Sequence, residues 1–249
     1  MAGTLEQMGS MNDYYALRLY DRNLLIALQD FVWRWFRGDN WLNVENYRNV
    51  VASAQDGLNE FSFARCISHD VRKELSNLLG AENLMVQSNL YLRAARPNMA
   101  GQEAVDWHRE SFYGCQPQAW NIWMPVMNCT PENSIRYVPG SAAIPDENIK
   151  LAEGESDGVE RFSSGHKIGL LYAPKTIVGG VDFSTAKTFD VKEGEVAVFP
   201  SSLIHGAAQN KTDKIRFSID FRVIAREHVA EQKKSFAGGG QDFFVPLAA

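Results

Sequence analysis

The segment Ile215–Val223 constrains the fold most strongly, because apolar and polar side chains alternate strictly along it. Successive side chains of a strand point to opposite faces, so this pattern predicts a strand with one apolar face and one polar face. Further short strands are predicted at 84–92, 119–127, 134–138, 167–172, 188–191 and 195–199. A series of short strands separated by turn residues indicates an antiparallel sandwich or barrel.

The first third of the chain has a helical period instead. Apolar residues recur at helical spacing over Arg22–Arg37, and Gly38 supplies a stop. A second helix is predicted over Asn43–Gly57 and a third over Ser68–Leu79, with Ser68 as its N-cap and Gly80 as its terminator. Helices followed by strands predict an α+β, mainly β fold, in which the helices pack on one face of a sheet.

The length of 249 residues suits one large domain or two small ones. We expect a single domain over 1–249, with 1–82 as mostly helical support, 83–223 as the β core and 224–249 as a C-terminal tail. Within the support, residues 1–20 are expected to be loosely held. The tail ends in apolar residues after three glycines, and the sequence leaves open whether it docks on the core or on a neighbouring subunit.

Charge and cysteine content exclude several classes of protein. The formal net charge of −5 argues against a general nucleic-acid binder, which needs a basic face. Three cysteines are too few for a disulfide framework. The N-terminus has no apolar leader, and the longest apolar stretch is broken by charges. We therefore expect a cytoplasmic protein without a nucleic-acid or membrane partner, in an oligomeric state that the sequence leaves open.

Two of the five histidines stand in contexts that suit metal binding. His108 and Glu110 are two residues apart, so on an extended segment their side chains point to the same side. His205 follows an apolar strand and a Pro-Ser-Ser turn, which places it near a strand end. Two imidazoles and one carboxylate form the facial triad of non-haem Fe(II) enzymes. A His-x-Glu pair alone is common by chance, so the interpretation depends on the residues that accompany it.

Arg216 and Ser218 lie shortly after His205 and on one face of the predicted strand. A guanidinium and a hydroxyl on that face could hold a dicarboxylate by a bidentate ion pair and a hydrogen bond. An arginine alone on an edge strand is more often a surface residue. A chance origin is much harder to sustain for the combined order of His-x-Glu, a long gap, His and Arg-x-Ser.

These motifs resemble the phytanoyl-CoA dioxygenase family of Fe(II)/2-oxoglutarate oxygenases. The resemblance covers about 83–223 and implies a double-stranded β-helix, or jelly roll, with iron at its open end. It is carried by Trp107-His108-Arg109-Glu110, Trp123, Pro131-Glu132-Asn133-Ser134, Val138-Pro139-Gly140-Ser141, His205-Gly206 and Arg216-Phe217-Ser218.

The resemblance also implies the cofactors and the roles of the residues. His108, Glu110 and His205 would bind Fe(II). Arg216, assisted by Ser218, would bind the distal carboxylate of 2-oxoglutarate, and O2 would be the other co-substrate. Further residues that could contact 2-oxoglutarate are Trp123, Gln87 and Asn89.

Three positions depart from the family pattern. Glu110 stands where aspartate is commoner, so its longer side chain must bend or its backbone must sit further back. Ala142 follows Ser141 where the family often has histidine. Ala207 replaces a small polar residue often found two positions after the second histidine, which removes one possible contact to the co-substrate.

The expected reaction is hydroxylation, or a related desaturation or ring-forming oxidation, of a small metabolite, for example as a biosynthetic tailoring step. Halogenation is disfavoured because Glu110 occupies the position where a halide would bind. The candidates for the substrate side, with core packing as the alternative, are Trp107, Arg109, Phe112, Tyr113 and Trp120. Two alternatives are an inactive jelly-roll binding module and a cupin-type metalloenzyme without 2-oxoglutarate, but a cupin has no need of Arg216.

Residues 145–165 are charged and contain glycine and serine. The segment is either a solvated loop between strands or a lid over the site that becomes ordered with substrate.

Overall fold

The computed structural model describes residues 13–37, 44–99, 106–113, 118–153, 176–229 and 244–247. Its helices are α1 (Arg22–Phe36), α2 (Val44–Glu60), α3 (Phe63–Asp70) and α4 (Arg72–Leu79). Its strands are β1 (Tyr15–Arg18), β2 (Leu84–Gln87), β3 (Tyr91–Ala95), β4 (Trp120–Met127), β5 (Ile135–Tyr137), β6 (Lys150–Leu151), β7 (Ile177–Gly179), β8 (Lys187–Thr188), β9 (Glu195–Pro200), β10 (His205–Ala207), β11 (Arg216–Ala225) and β12 (Phe244–Pro246).

The third predicted helix, Ser68–Leu79, is two helices in the structure, α3 and α4, which meet at Val71. Ser68 is not an N-cap, since it lies inside α3 and its buried hydroxyl donates to the carbonyl of Ala64 at 2.8 Å. Serine in a helix often satisfies its hydroxyl in this way. Gly80 ends α4 in the left-handed conformation, as predicted.

The second helix runs past its predicted end at Gly57 and continues to Glu60. Gly57 is a contact point between helices, because a Cβ there would lie 2.6 Å from Cζ of Phe31 on α1. The glycine therefore lets α1 and α2 approach closely, and it does not interrupt the helix.

The larger sheet has the order β1-β9-β4-β11-β2-β12, with β3 also paired to β11, and each of these pairings is antiparallel. A second sheet has the order β10-β5-β8, and β6 pairs with β7. Every second side chain of β4, β9 and β11 packs against the helices in one large hydrophobic cluster. The other side chains of these strands face away from the helices, and the candidate site is built on that second face.

Both ends of the described chain belong to the larger sheet. The expectation that residues 1–20 are loosely held is wrong for Tyr15–Arg18, which pairs with β9 as an edge strand. At the other end, β12 pairs with β2, and Phe244 is buried beside it. The segment 244–247 of the tail therefore docks on the core of its own chain. Of the helices that the structure describes, none is both long and apolar enough to cross a membrane.

Candidate metal centre and co-substrate pocket

A pair of backbone hydrogen bonds places the two histidines side by side. The amide of His108 donates to the carbonyl of His205 at 2.9 Å, and the amide of His205 donates to the carbonyl of His108 at 3.0 Å. The imidazole centroids are 4.4 Å apart as a result. Glu110 comes next as the first residue of a 3-10 turn over Glu110–Tyr113, which turns its carboxylate towards the two rings.

His108, Glu110 and His205, called here the triad, converge on one point. Their potential ligand atoms lie within 4.8 Å of one another. Oε1 of Glu110 is 3.3 Å from Nε2 of His205 and 3.7 Å from Nε2 of His108. Two nitrogen donors and one carboxylate oxygen on one side of a centre fit Fe(II) and leave the opposite positions open.

Backbone carbonyls fix the imidazoles in one tautomer. Nδ1 of His108 lies 2.7 Å from the carbonyl oxygen of Asp106, and Nδ1 of His205 lies 2.9 Å from that of Leu203. Since a carbonyl can only accept, each Nδ1 carries the proton and donates it. In the neutral ring each Nε2 then has the lone pair that a metal needs, on the side that faces Glu110.

The charges within the triad favour an ionised carboxylate. Burial alone would raise the pKa of Glu110, but the two imidazoles hold it well below its usual range. Burial, reinforced by His205, lowers the pKa of His108. Burial also opposes a charge on His205, yet Glu110 outweighs it and raises the pKa of that imidazole. Glu110 is therefore ionised at neutral pH, as metal binding requires.

Two polar residues that the sequence analysis did not select hold the Glu110 carboxylate. Nδ2 of Asn121 donates to Oε2 at 2.9 Å, and Nη2 of Arg222 lies 3.4 Å from Oε1. Nη1 of Arg222 also donates to Oε1 of Gln87 at 3.1 Å. Gln87, predicted as a contact of the co-substrate, therefore binds Arg222, and Arg222 in turn contacts Glu110.

Arg216 lies on the same face of β11 as Arg222, and only 2% of its surface is exposed. Its Nη1 donates to Oγ of Ser218 at 2.8 Å, while its Nε has no hydrogen-bond partner among the described residues. Burial lowers the pKa of this guanidinium. Within the described part of the chain no carboxylate pairs with it. A buried cation without an anion is costly, so Arg216 fits a ligand that brings its own carboxylate.

Trp123 lies on the neighbouring strand β4, opposite Asp220 of β11. Its ring is buried, and Nε1 has no acceptor among the residues that the structure describes. Asp220, another residue missed from the sequence, forms a bidentate pair with Arg93 of β3 at 2.5 and 3.2 Å. This ion pair lies between Arg216, at one end of the polar face of β11, and Arg222, which contacts Glu110 at the other end.

The structure does not bring Asn89 or Trp120 to this site. Asn89 is exposed in the turn between β2 and β3. Trp120 lies on the helix-facing side of β4, where its ring packs near Tyr15. Asn89 and Trp120 are thus set apart from the other candidates.

The remaining substrate-side candidates flank the triad along the chain. Trp107 stacks on Phe183 and lies under the guanidinium of Arg136. Phe112 packs in the same hydrophobic cluster, and the side chain of Tyr113 lies outside the described residues.

Arg109 stands between His108 and Glu110 in the sequence and is almost fully buried. Its side chain binds the loop at 141–146. It donates to the carbonyls of Ser141 and Ile144 at 2.7 and 3.1 Å and forms an ion pair with Asp146 at 2.5 Å. These contacts leave its guanidinium directed at the loop.

The turn that departs from the family pattern supports the strand of the second histidine. Oγ of Ser141 accepts from the amide of Ile204 at 2.9 Å, directly before His205. Ala142 packs against a second hydrophobic cluster, which contains Trp123. The turn therefore keeps a supporting role without a histidine after Ser141.

Part of the segment 145–165 can be located. Its start carries Asp146, the partner of Arg109, and Lys150–Leu151 pairs with β7. Residues 154–165, and the strand predicted at 167–172, lie outside the described residues. That the segment acts as a lid, and not only as a solvated loop, stays a prediction.

Comparison with known proteins agrees with this geometry. The profile of the phytanoyl-CoA dioxygenase (PhyH) family matches residues 36–218, which is more than half of the chain. The chain therefore belongs to the phytanoyl-CoA dioxygenase family, and it is a non-haem Fe(II)/2-oxoglutarate-dependent oxygenase. No curated protein matches its sequence.

Several solved structures share the fold. The epimerase SnoN, in complex with Fe3+, alpha ketoglutarate and nogalamycin RO, is 14% identical, with a TM-score of 0.54 over 95% of this chain and 94% of that one. EvdO2 from Micromonospora carbonacea var. aurantiaca, complexed with 2-oxoglutarate, is 17% identical, with a TM-score of 0.54 over 86% and 87%. The apo non-heme monooxygenase ThoJ is 19% identical, with a TM-score of 0.54 over 86% and 74%. These likenesses confirm the predicted fold.

Proposed function

We propose that the protein hydroxylates, or otherwise oxidises, a small metabolite, with iron held by His108, Glu110 and His205. Arg216 and Ser218 bind the distal carboxylate of 2-oxoglutarate. The observation that carries the proposal is a His-Glu-His triad, of which Glu110 and His205 are buried, that contacts the sheet face carrying a buried arginine that no described carboxylate neutralises. The triad supplies the donors that Fe(II) prefers, and the arginine supplies the charge that a dicarboxylate needs.

Iron and 2-oxoglutarate, when bound, supply the activation of O2 that oxidises the substrate. The chain contributes position, charge and a dry environment. Backbone carbonyls accept from Nδ1 of both imidazoles, so that Nε2 of each ring is directed towards the centre. The buried rings of Trp123 and Phe199 belong to the second hydrophobic cluster, and Phe199 packs against His205. These rings exclude water from the sheet face beside the triad.

The proposed substrate class is a small metabolite. The chain has no cluster of lysines and arginines that would suit an acyl-CoA. The similar structure of SnoN contains nogalamycin RO, which supports a small organic substrate here. Trp107, Phe112 and Tyr113 stay candidates for the substrate side because they flank the triad along the chain, whereas the guanidinium of Arg109 is directed at the loop 141–146. Cytoplasmic location and the absence of a nucleic-acid partner stay predictions.

The test is formation of succinate from 2-oxoglutarate, with Fe(II) and O2 present, across a panel of candidate substrates. We expect turnover in the parent and none in His108→Ala, which should lose iron as well, since two ligands rarely hold Fe(II) tightly. His228→Ala is the matched control, because His228 is exposed in a 3-10 turn. Equal iron binding in His108→Ala and the parent would refute the assignment of the metal site.

A further inference from the structure

Asn121 contacts the Glu110 carboxylate of the triad from a strand that is paired on both sides. It lies on β4, in the interior of the larger sheet, between Phe199 of β9 and Arg222 of β11 as Cα partners. Its residue is 3% exposed. The backbone is thus fixed from both sides, and the carboxamide has little freedom to move.

The two oxygens of Glu110 have different surroundings. Oε1 faces Nε2 of both histidines, at 3.3 and 3.7 Å. Oε2 accepts a hydrogen bond from Nδ2 of Asn121 at 2.9 Å. A hydrogen bond to an ionised carboxylate is one of the stronger kinds in proteins, so it restrains rotation of the carboxylate plane.

We propose that Asn121 is a positioning residue that engages Oε2 and leaves Glu110 with one oxygen, Oε1, for the metal. The inference rests on the proposed function, since it assumes that the triad binds iron. Three protein donors would leave three positions on the metal for the proposed co-substrates, 2-oxoglutarate and O2. A carboxylate that bound through both oxygens would remove one of these positions.

The inference also accounts for the departure at Glu110. Glutamate has one more methylene than the commoner aspartate, so its carboxylate rotates more freely and reaches further. The amide donor of Asn121, which is fixed on β4, offsets that freedom. Arg222, the Cα partner of Asn121, adds a second donor, 3.4 Å from Oε1.

The test uses Asn121→Leu, which keeps the branched shape of the side chain and removes the donor. Nitric oxide serves as the probe for the last open position, and its binding to the anaerobic complex of the protein with Fe(II) and 2-oxoglutarate is followed by electron paramagnetic resonance. We expect iron and 2-oxoglutarate to bind within about threefold of the parent, while half-saturation needs about tenfold more nitric oxide, the size expected for losing a hydrogen bond to a charged group. Asn49→Leu, at an exposed position on α2, is the matched control.

Unchanged affinity for nitric oxide would overturn the inference, and so would a tenfold loss of iron affinity with nitric oxide binding intact, which would show that Asn121 only orients the ligand. If Asn121→Leu melts well below the parent, Asn121→Ser replaces it, since its hydroxyl is too short to reach Oε2. Failure of the proposed function is distinguishable, because the parent itself would then bind no iron at the triad.

Discussion

The two faces of β11 differ sharply in chemistry. One face carries Phe217, Ile219, Phe221 and Val223, which pack with the helices in the largest hydrophobic cluster. The other face carries, at alternating positions, the polar residues Arg216, Ser218, Asp220 and Arg222. The same ten-residue strand thus provides an apolar core on one side and charged groups on the other.

The difference shows where stability and chemistry come from. Burial of the apolar face stabilises the fold, at roughly 25 cal/mol per Å² of apolar surface. Burial of arginine and serine on the polar face costs free energy unless each finds a partner. Arg216 and Ser218 are buried, and their side chains form a hydrogen bond with each other and with no other described residue. A ligand therefore explains their position better than stability does.

The largest effect on the apolar face is expected for Phe221→Ala. Phe221 is buried in the cluster that joins the sheet to the helices, so its truncation should cost about 3–5 kcal/mol of unfolding free energy. Urea denaturation measures the change, and Phe61→Ala, at an exposed ring, should lie within about 0.5 kcal/mol of the parent. Iron affinity of the folded fraction should not change. A change there would show that the two faces are not independent.

On the polar face, Arg216→Ala should weaken binding of 2-oxoglutarate by more than about 100-fold, because a buried carboxylate would lose its charged partner. Iron binding should persist, since Arg216 is not a triad residue. Calorimetric titration of the metal-free protein with Ni(II), and then of the Ni(II)-loaded protein with 2-oxoglutarate, measures both affinities. Arg226→Ala, at an exposed position, is the control. An unchanged affinity would mean that another basic residue holds the co-substrate, with Arg222 the nearest along the strand.

Local patterns predicted β11 and the extent of α1 well, because alternation and helical spacing are properties of consecutive residues. The division between α3 and α4 could not be predicted in this way. It lies beside Asp70, whose carboxylate accepts from the amides of Tyr20 and Asp21 at 2.6 and 3.1 Å, about 50 positions away. Strand β1 was missed for the same reason, since its four residues acquire their structure by pairing with β9.

The prediction of the triad and Arg216 came from the fixed order in which these residues succeed one another together with the resemblance to the family. Asn121 was missed although strand alternation could have found it, since it stands two positions before Trp123 and so on the same face. Trp120 is three positions from Trp123, and the same rule places it on the helix side. Arg93 carried no such signal, because its partner Asp220 is 127 positions away in the chain.

The pair of Arg93 and Asp220 tests whether the polar face stabilises the fold. Their side chains are 29% and 20% exposed, so Asp220→Leu alone should cost about 1–3 kcal/mol, less than the loss of a fully buried partner. The double variant with Arg93→Met should recover most of that cost, because it leaves no unpaired charge. A double-mutant cycle in urea measures the recovery. If the double variant is as unstable as the sum of the single variants, the two side chains are not coupled and the pair does not stabilise the sheet.

The smallest effect is expected for Ser218→Ala, and it compares the two faces most directly. Ser218 and Ser68 are both fully buried, but Oγ of Ser218 accepts from Arg216 on the polar face, while Ser68 donates to the carbonyl of Ala64 inside α3. Ser218→Ala removes one acceptor and leaves the charge of Arg216 in place, so affinity for 2-oxoglutarate should fall only about threefold to tenfold. Ser68→Ala should lower the unfolding free energy by about 1 kcal/mol and leave that affinity unchanged. Calorimetric titration of both variants, beside their urea curves, separates the two outcomes. If both variants lose affinity equally, burial of a hydroxyl anywhere in the core affects the pocket, and the assignment of Ser218 to the co-substrate fails.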